Sequence, residues 1–429
     1  MSQVHGDPDR RPTQELAASP DLSVSLLTGG IDRPYVYGLT KALSSIGIAV
    51  DLIGSDELDD PKIHNRPGVN FLNLRGDQRP NAGLVAKILR VSAFYSRLIR
   101  YATRAKPRIF HILWNNKFEM FDRTALMMYY KLLGKAVVLT AHNVNKRRRD
   151  STDTFLNRLT LRIQYRLADH IFVHTPRMKD ELVQDFGVSA GRITIIPFGI
   201  NNSVPNTDLS TRQAKQRFHL CETQKTILFF GRIKPYKGLE YLIAAFQRLA
   251  ARRDDYRLLI AGRLEEGCEG YWESIQREIK EHVDAGRIIP RIEFLPDSEL
   301  EVYFKAGDVL ILPYKEIFQS GVIFLGYGFG LPAIVADVGS LKNDIVEGKT
   351  GFVFKPEDPD DLARAIEQYF ASDLFADLEV RRQEIRDHAL KRHSWAVVGQ
   401  ETLKVYRGLL GDGAHVLADS GASSLRASE

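Results

Sequence analysis

Short apolar runs rich in β-branched residues alternate along the chain with longer amphipathic stretches. In the first half these runs are SVSLL, AVDLIG, VNFLNL, IFHIL, AVVLTAH, HIFVHT and ITIIPFG. After a polar connector near residues 200–222 the alternation restarts with TILFFGRI, YRLLIAGR, IEFLP, DVLILPY, AIVADVG and GFVFKP. Strands that alternate with helices in this way are typical of parallel sheets. The pattern therefore predicts an α/β protein with two doubly wound domains in series.

Length and composition agree with two folded domains. The chain has 429 residues, 44% hydrophobic and 26% charged, and this length exceeds what one hydrophobic core usually supports. The two cysteines, Cys221 and Cys268, fit no metal or redox spacing, which indicates a reducing compartment. The sequence shows no apolar signal core and no apolar stretch of about 18 residues. We therefore expect a cytoplasmic protein with flexible tails at residues 1–20 and 412–429.

The positive charge is unevenly distributed. The net charge is +5 at pH 7, and residues 78–118 contain no acidic side chain. Cations in this stretch are Arg79, Lys87, Arg90, Arg97, Arg100, Arg104, Lys106, Arg108 and Lys117. A predicted helix near residues 84–106 either contacts an anionic membrane, each cation adding about 1 kcal/mol, or is a solvated face whose apolar stripe packs on the sheet. No nucleic-acid-binding motif or aromatic platform accompanies the charge, so we expect no nucleic-acid partner.

The loops that follow strands are candidate sites, because open parallel sheets bind ligands beyond the carboxyl ends of their strands. In FFGRIKPYKGLEYL, Arg232 and Lys237 lie on one loop between Gly231 and Gly238. The two cations could converge on a diphosphate, each charge-assisted contact contributing about 1.5 to 3 kcal/mol. Solvated loop charges are the alternative interpretation.

A second candidate anion site follows the apolar run in LILPYKEIFQSGVIFLG. Gln319, Ser320 and Gly321 stand where the next helix should begin. Free amides at a helix N-terminus, with the helix dipole behind them, favour an anion. Ser320 adds a hydroxyl donor, and Gly321 allows a phosphate to approach the backbone without a side-chain clash.

Two loops in the first half carry further candidates. Gly29 and Gly30 form a turn after the first strand in LTGGIDRP, which is either an ordinary tight turn or part of the cleft. His142 ends an apolar strand in VVLTAHNVN. A lone histidine is commonly structural, but a strand end opposite a diphosphate site favours a functional role. His111 and His174 occupy similar positions and are predicted to be structural.

These motifs resemble glycosyltransferase family 4, a family of retaining GT-B enzymes that use nucleotide sugars. The resemblance rests on GRIKPYKGLEYLIAAF, on HTPRMKDEL with ITIIPFGIN, and on GLPAIVADVGSLKNDIVEGKTGFVFKPEDPDDLARAI. It runs over about residues 22–410 and implies two Rossmann-like domains that face each other across a cleft. The implied parts are an acceptor domain at 21–205, a donor domain at 206–393 and a helix at 394–411 that returns to the first domain.

The resemblance implies a role for each candidate residue. Arg232 and Lys237 match the pair that neutralises the departing diphosphate, which normally makes a metal ion unnecessary, so we expect no metal and no cofactor. His142 matches a histidine that contacts the donor sugar. The expected diphosphate contacts are Gly29, Gly30, Arg232, Lys237, Ser320 and Gly321. The expected sugar contacts are His142, Glu316 and Gln319, with Glu316 also counted among the catalytic residues.

The paired-glutamate motif of the family is incomplete in this sequence. Glu316 resembles its first carboxylate, although alignment on the GLP tripeptide places Ile317 there. The second carboxylate, which usually holds the ribose, should fall where Phe324, Leu325 and Gly326 stand. The sequence is therefore expected to be a variant that lacks the second glutamate.

The expected function is that of a retaining glycosyltransferase. It would move a sugar from a UDP-, GDP- or ADP-sugar to a glycan or lipid-linked acceptor in bacterial polysaccharide or glycolipid synthesis. The place of reaction would be the cytoplasm or, peripherally, the inner face of the plasma membrane. A non-catalytic sugar-nucleotide-binding protein of the same fold is the alternative, because the second carboxylate is missing.

Overall fold

The computed structural model describes five stretches of the chain: residues 22–29, 32–78, 83–149, 152–200 and 204–411. Both terminal tails, Gly30 and Arg79 lie outside the described residues. Within these stretches, no helix combines the length and the apolar character needed to cross a bilayer.

Seven parallel strands form the sheet of the N-terminal domain, in the order β3-β2-β1-β4-β5-β6-β7. The strands are β1 (Ser23–Leu27), β2 (Ala49–Gly54), β3 (Val69–Asn73), β4 (Ile109–Ile112), β5 (Ala136–Thr140), β6 (His170–Val173) and β7 (Ile193–Ile195). The helices are α1 (Arg33–Ser45), α2 (Pro61–His64), α3 (Leu84–Arg104), α4 (Glu119–Phe121), α5 (Met127–Leu132), α6 (Lys146–Arg149), α7 (Phe155–Leu167) and α8 (Pro176–Phe186). A π-helical turn, Asp122–Leu126, joins α4 to α5.

Six parallel strands form the second sheet, in the order β10-β9-β8-β11-β12-β13. The strands are β8 (Lys225–Phe230), β9 (Tyr256–Ala261), β10 (Ile288–Arg291), β11 (Val309–Leu312), β12 (Ala333–Ala336) and β13 (Gly351–Phe354). The helices are α9 (Thr211–Gln216), α10 (Leu239–Ala250), α11 (Glu269–Asp284), α12 (Asp297–Ala306), α13 (Gly321–Gly328), α14 (Pro359–Phe370), α15 (Asp373–Ala376), α16 (Leu378–His393) and α17 (Trp395–Leu410). Both sheets have the strand order of a doubly wound fold, which confirms the predicted α/β class and the GT-B architecture.

The position of one predicted strand is wrong. The sequence pattern favours a strand at IEFLP, residues 292–296, whereas the structure places β10 at Ile288–Arg291 with Pro290 inside it. This strand lies at the edge of its sheet and pairs only with β9. A proline is tolerated there because its missing N–H faces no further strand.

Local sequence accounts for the regular elements. All four residues of β11 and of β12 are buried, as expected for parallel strands that are covered on both faces. Helix α14 begins with Pro359 after the cap Asp358, whose side chain accepts hydrogen bonds from two backbone amides of the first turn. Its buried face, which includes Leu362 and Ile366, lies against α10.

Helix α17 connects the end of the chain to the N-terminal domain. It packs against α1, and the Tyr406 hydroxyl forms a 2.6 Å hydrogen bond with Nδ1 of His111 in β4. The indole of Trp395 donates from Nε1 to the Ile200 carbonyl at 2.7 Å and meets the ring of Tyr35 edge-on at 5.1 Å. Trp395, the first residue of α17, thus binds the segment that follows β7 through the Ile200 carbonyl.

Replacing Trp395 with Ala should lower the free energy of unfolding by about 3 to 5 kcal/mol, because a large buried ring and its hydrogen bond are lost. Urea unfolding followed by circular dichroism measures the change. Phe155→Ala is the control: its ring is 81% exposed, and its loss should change stability by less than about 0.5 kcal/mol. Equal, small effects of both substitutions would contradict the role of Trp395.

Candidate active site

A cavity of about 440 Å³ lies where the two domains face each other. We call it the cleft cavity. One wall consists of the loops after β8 and β11 with the start of α13; the other consists of the start of α1 and the segment after β7. Five of the predicted site residues line it: Arg232, Lys237, Gln319, Ser320 and Gly321.

The two C-terminal loops meet because β8 and β11 are neighbours at the point where the strand order reverses. Gly238 has φ +65°, and a Cβ at this position would lie 1.9 Å from the carbonyl oxygen of Pro313. The amide of Lys315 donates to the Tyr236 carbonyl at 2.9 Å. Only glycine permits this close packing, which brings both predicted anion-binding loops to one side of the cleft.

Arg232 is paired with a carboxylate that sequence reasoning missed. Its Nη1 lies 3.0 Å from Glu265 Oε2, and Lys234 Nζ lies 3.2 Å from Oε1 of the same side chain. Burial alone would raise the pKa of Glu265, but the charges of Arg232 and Lys234 bring it below the usual value. The only sequence signal is the position of Glu265 in the loop after β9. A diphosphate in the cavity would compete with this carboxylate for Arg232.

Lys237 is held by aromatic rings. It ends a 3₁₀ turn, Pro235–Lys237, and only 7% of it is exposed. Its Nζ lies 3.7 Å from the centre of the Tyr314 ring and 5.4 Å from that of Tyr236. Cation–π contacts of this kind fix the position of the ammonium beside the cleft cavity.

Ser320 and Gly321 form the start of α13. The Ser320 hydroxyl caps the helix, because its Oγ accepts from the Val322 amide at 3.4 Å, and it lies 3.3 Å from the Tyr314 hydroxyl. Gly321 is the first helical residue and lies against the ring of Phe198. The cap uses an oxygen lone pair of Ser320 and not its O–H, so this hydroxyl and the backbone amide of Gly321 are both candidate donors to an anion.

Asp32 lines the opposite wall and was also missed from the sequence. Its side chain caps α1, with Oδ1 accepting from the Tyr35 amide at 3.2 Å. Burial raises the pKa of Asp32, although the bond from Tyr35 and the charge of Arg232 act in the other direction. The signal in the sequence was an Asp after the glycine turn with a proline two residues later, a usual start of a helix.

His142 lies behind Tyr35 and does not line the cleft cavity. Its ring stacks on Trp114 at 4.2 Å, and the Tyr35 ring meets it edge-on at 4.6 Å. His142 Nδ1 lies 3.1 Å from His174 Nε2, and His174 Nδ1 lies 3.2 Å from the Ile196 carbonyl oxygen. Burial lowers the pKa of His174 to about 4 and that of His142 well below its usual value.

These contacts determine the tautomers of both histidines. A carbonyl only accepts, so Nδ1 of neutral His174 carries the proton and its Nε2 accepts from His142 Nδ1. Nε2 of His142 is then an acceptor. This atom is buried and has no hydrogen-bond partner among the described residues. His174, which was predicted to be structural, thus orients His142.

Gly29 lies outside the cleft cavity. It has φ +40°, and a Cβ would lie 1.8 Å from the carbonyl oxygen of Trp114. The loops after β1 and β4 therefore meet through a glycine, as the two loops do in the other domain. Gly29 lines a smaller hollow in the N-terminal domain, and its predicted contact with the diphosphate stays a prediction.

The structure does not bring Glu316 together with Arg232 and Lys237. Glu316 is exposed and lines a separate cavity of about 300 Å³ beside α8. The cleft cavity is lined instead by Ile317 and Leu325, two positions that the sequence resemblance connected with the paired glutamates. The predicted contact of Glu316 with the sugar has no support from its position, because consecutive residues of the loop face different cavities.

Across the described stretches, no three His, Cys, Asp or Glu side chains are grouped so that they could hold a metal ion. The expectation of a reaction without a metal stays a prediction.

The free energy of unfolding should decrease as the pH falls from 7 to 5. Burial lowers the pKa of His174 and of His393 to about 4, whereas an unfolded histidine titrates near 6.5. Because the unfolded chain then binds more protons than the folded one, each such histidine lowers stability by up to about 1.4 kcal/mol per pH unit between these values. Guanidinium unfolding at pH 7, 6 and 5 measures this dependence. His174→Gln should make the free energy of unfolding less dependent on pH, whereas His219→Asn, at an exposed histidine, should leave the dependence unchanged. Identical pH dependence in both variants would refute the contribution of buried His174.

Two family models match this chain. The model described as Glycosyltransferase Family 4 matches residues 28–204, and the model described as Glycosyl transferases group 1 matches residues 224–372. Between them they span both domains.

The chain is also similar to proteins of known name. The D-inositol 3-phosphate glycosyltransferase of Nocardioides sp. is 25% identical, with 93% of each chain covered. The enzyme of that name from Corynebacterium aurimucosum is 26% identical over 63% of this chain and 65% of its own length, just under two thirds. Sucrose-phosphate synthase from Thermosynechococcus elongatus has the same fold, with a TM-score of 0.71, 18% identity and coverage of 91% of this chain and 100% of that one. The family models, the named relatives and the fold agree, and the chain belongs to glycosyltransferase family 4.

Proposed function

We propose that the protein transfers a sugar from a nucleoside-diphosphate sugar to an acceptor hydroxyl and retains the configuration of the sugar. The observation that carries the proposal is the convergence of Arg232, Lys237 and the start of α13 on one cavity between the two domains. Two cations and a helix N-terminus form a site for a diphosphate.

The same groups would stabilise the charge that develops on the leaving diphosphate. Preorganised donors of this kind contribute about 2.7 to 4 kcal/mol each in the transition state. The acceptor oxygen forms its bond to the anomeric carbon as the bond to the diphosphate breaks, and the hydroxyl proton passes to the departing phosphate oxygen. No metal is proposed to take part.

Retention by departure and attack on the same face fits the lining of the cleft cavity. Among the described residues of this lining, Asp32 is the one carboxylate, and it caps α1 and faces Arg232. It is therefore not assigned as a nucleophile. Gln319 is the proposed hydrogen-bonding contact for the sugar, whereas Ile317 and Leu325 contribute only apolar surface.

His142 is proposed as a second contact for the sugar. Its Nε2 is an acceptor and suits a hydroxyl donor of the sugar. Tyr35, which lines the cleft cavity, covers the ring edge-on, so this contact requires Tyr35 to move.

A non-catalytic protein that binds sugar nucleotides is the second candidate. The apolar side chains of Ile317 and Leu325 favour it, because they line the cleft cavity where alignment on the GLP tripeptide would place the paired carboxylates. The cation pair at the diphosphate site favours the enzyme. Product formation from the donor with an acceptor extract separates the two candidates.

A panel of uridine, guanosine and adenosine diphosphates tests the donor site. One of them should raise the melting temperature of the protein, since a ligand that binds the folded state stabilises it by mass action. Arg232→Ala should weaken this shift and reduce turnover of the matching sugar nucleotide by roughly two orders of magnitude.

Arg252→Ala is the matched control for this experiment. Arg252 also forms a surface ion pair, since its Nη1 lies 3.6 Å from Glu367 Oε1, but it follows the C-terminal end of α10 and does not line the cleft cavity. Near-normal turnover in Arg232→Ala, or no thermal shift with any diphosphate, would refute the proposed donor site.

We further propose that the acceptor is anionic or lipid-linked and is met at the inner face of the plasma membrane. Helix α3 supports this, since it carries two distinct apolar surfaces. Phe94, Leu98 and Ala102 are buried towards the sheet. A second set remains exposed near the start of the helix: Val85, Ile88 and Leu89, at 71%, 56% and 64%.

The exposed surface continues beyond α3. Tyr95 of α3 lies 5.2 Å from the ring of Phe121 and 6.1 Å from that of Phe118, both of which are exposed. Lys87 and Lys117 are exposed on the same segments. We call these residues the apolar–basic face: Val85, Lys87, Ile88, Leu89, Lys117, Phe118 and Phe121. Apolar side chains beside cations are typical of surfaces that bind anionic lipids.

The protein should bind vesicles of phosphatidylglycerol and phosphatidylcholine at low salt, and more weakly as the salt concentration rises. Ile88→Ser with Leu89→Ser should reduce the binding by about tenfold or more, because two apolar side chains no longer insert. Vesicle sedimentation measures the bound fraction. Leu390→Ser, at a 44% exposed leucine of α16, is the control. Absence of binding at low salt would refute the membrane proposal.

A further inference from the structure

A second cavity, of about 280 Å³, opens beside α3 in the N-terminal domain. We call it the basic cavity. It is lined by Arg75, Asp77, Gln78, Lys87, Arg90, Val91, Phe94, Tyr95, Asn116 and Lys117. A small hollow continues from it, shares Arg75, Phe94 and Asn116, and reaches Gly29 and Trp114. The donor site uses none of the side chains of the basic cavity.

The charge of the basic cavity is strongly positive. Of the side chains that the structure describes, four cations line it, Arg75, Lys87, Arg90 and Lys117, against one carboxylate, Asp77. Nη1 of Arg90 lies 3.8 Å from Oδ2 of Asp77, so the one negative charge of the lining is paired with Arg90. The positive charges of Arg75, Lys87 and Lys117 therefore exceed the negative charge of the lining. A concave site with this balance favours an anion.

Arg75 is the cation nearest to the interior. Its guanidinium lies 5.3 Å from the centre of the Phe94 ring, and Nη1 donates to the Gly29 carbonyl at 2.6 Å. Burial lowers the pKa of Arg75, while Tyr95 and Asp122 act in the other direction. A guanidinium has five N–H donors, and Gly29 is its one hydrogen-bond partner among the described residues. The remaining donors suit the oxygens of a phosphoryl group.

Asp122 adds an acceptor to the hollow. It is only 3% exposed, and its Oδ1 accepts from the Tyr95 hydroxyl at 2.8 Å and from Asn116 Nδ2 at 3.2 Å. Its Oδ2 is buried and has no hydrogen-bond partner among the described residues. A buried carboxylate oxygen without a partner is costly, so its presence in a cavity indicates a ligand that donates to it.

We propose that the basic cavity and its hollow bind a phosphorylated polyol or sugar, with the phosphoryl group at Arg75 and Lys117 and a ligand hydroxyl donating to Asp122 Oδ2. This inference rests on the proposed function, since it names the class of acceptor. The apolar–basic face borders the same cavity through Lys87 and Lys117, so the phosphoryl group belongs either to a soluble compound or to a lipid headgroup.

The position of the cavity connects this ligand to the cleft. Arg75 holds the carbonyl of Gly29, Gly29 lies against the Trp114 carbonyl, and the Trp114 ring stacks on His142. A ligand bound to Arg75 would therefore stabilise the loops that place His142 near the donor site.

Isothermal titration of the full chain in phosphate-free buffer tests the proposal with three probes: inorganic phosphate, glucose 6-phosphate and glucose. Glucose 6-phosphate should bind more tightly than inorganic phosphate, and glucose should not bind measurably. Arg75→Gln and Lys117→Ala should each weaken the binding of inorganic phosphate and of glucose 6-phosphate by about tenfold or more. Lys117 is exposed, so its variant tests the site even if Arg75→Gln folds poorly.

Asp122→Asn distinguishes ligand contact from a purely structural role. This substitution should lower the affinity for glucose 6-phosphate towards the affinity for inorganic phosphate. The affinity for inorganic phosphate itself should not change. Lys106→Ala, an exposed cation of the same basic stretch outside the cavity, should behave as the wild type.

Vesicles that contain phosphatidylinositol, with phosphatidylcholine vesicles as the reference, separate the two sources of the phosphoryl group. Binding of glucose 6-phosphate alone supports a soluble acceptor, and a preference for phosphatidylinositol that Lys117→Ala abolishes supports a lipid headgroup. If the wild type binds a nucleoside diphosphate but no phosphorylated probe or phosphatidylinositol, the basic-cavity proposal is overturned while the donor site stands. Absence of nucleoside-diphosphate binding overturns the proposed function instead.

Discussion

The packing around Tyr35 determines how the two walls of the cleft face each other. Its ring meets His142 at 4.6 Å on one side and Trp395 at 5.1 Å on another. Phe198 lies 5.6 Å from Tyr35 and stacks on Phe324 of the C-terminal domain at 5.8 Å. A single series of aromatic contacts thus runs from the N-terminal sheet to α13. Aromatic pairs bury large areas and have preferred geometries, so this series restricts the relative position of the walls.

The two domains build their sites by the same physical device. In each sheet the loops after the first and fourth strands meet at the reversal of strand order, and in each a glycine lies against a carbonyl of the other loop. The C-terminal pair brings cations and a helix start to the cleft cavity. The N-terminal pair leaves a basic cavity with a buried carboxylate oxygen. The duplicated geometry thus underlies both proposed anion sites, one in each domain, and each site has its own set of side chains.

The candidate site was predictable where a motif and a strand end coincide. Arg232 and Lys237 follow β8, and Gln319 follows β11, so the topology brings them together once the order of the strands is known. Glu265 escaped prediction because its partner Arg232 lies on a distant segment. Asp32 is recognisable in the sequence as a helix cap, but only the fold brings it close to Arg232. Glu316 was assigned to the sugar on its resemblance, but its exposed side chain lines another cavity and Ile317 lines the cleft.

The sequence by itself determined the α/β class, the division into two domains, the family and the loop that carries the cation pair. These features depend on periodicity and on short motifs, which are local properties of the chain. Only the tertiary structure decided that Tyr35 covers His142, that His174 orients it and that Arg75 shares a cavity with Asp122. Such relations join residues far apart in the chain, and their geometry depends on how helices and loops pack over the sheets. The position of β10 could not be predicted from its local sequence for the same reason. Pro290 is acceptable in this strand only because the strand lies at the edge of the sheet.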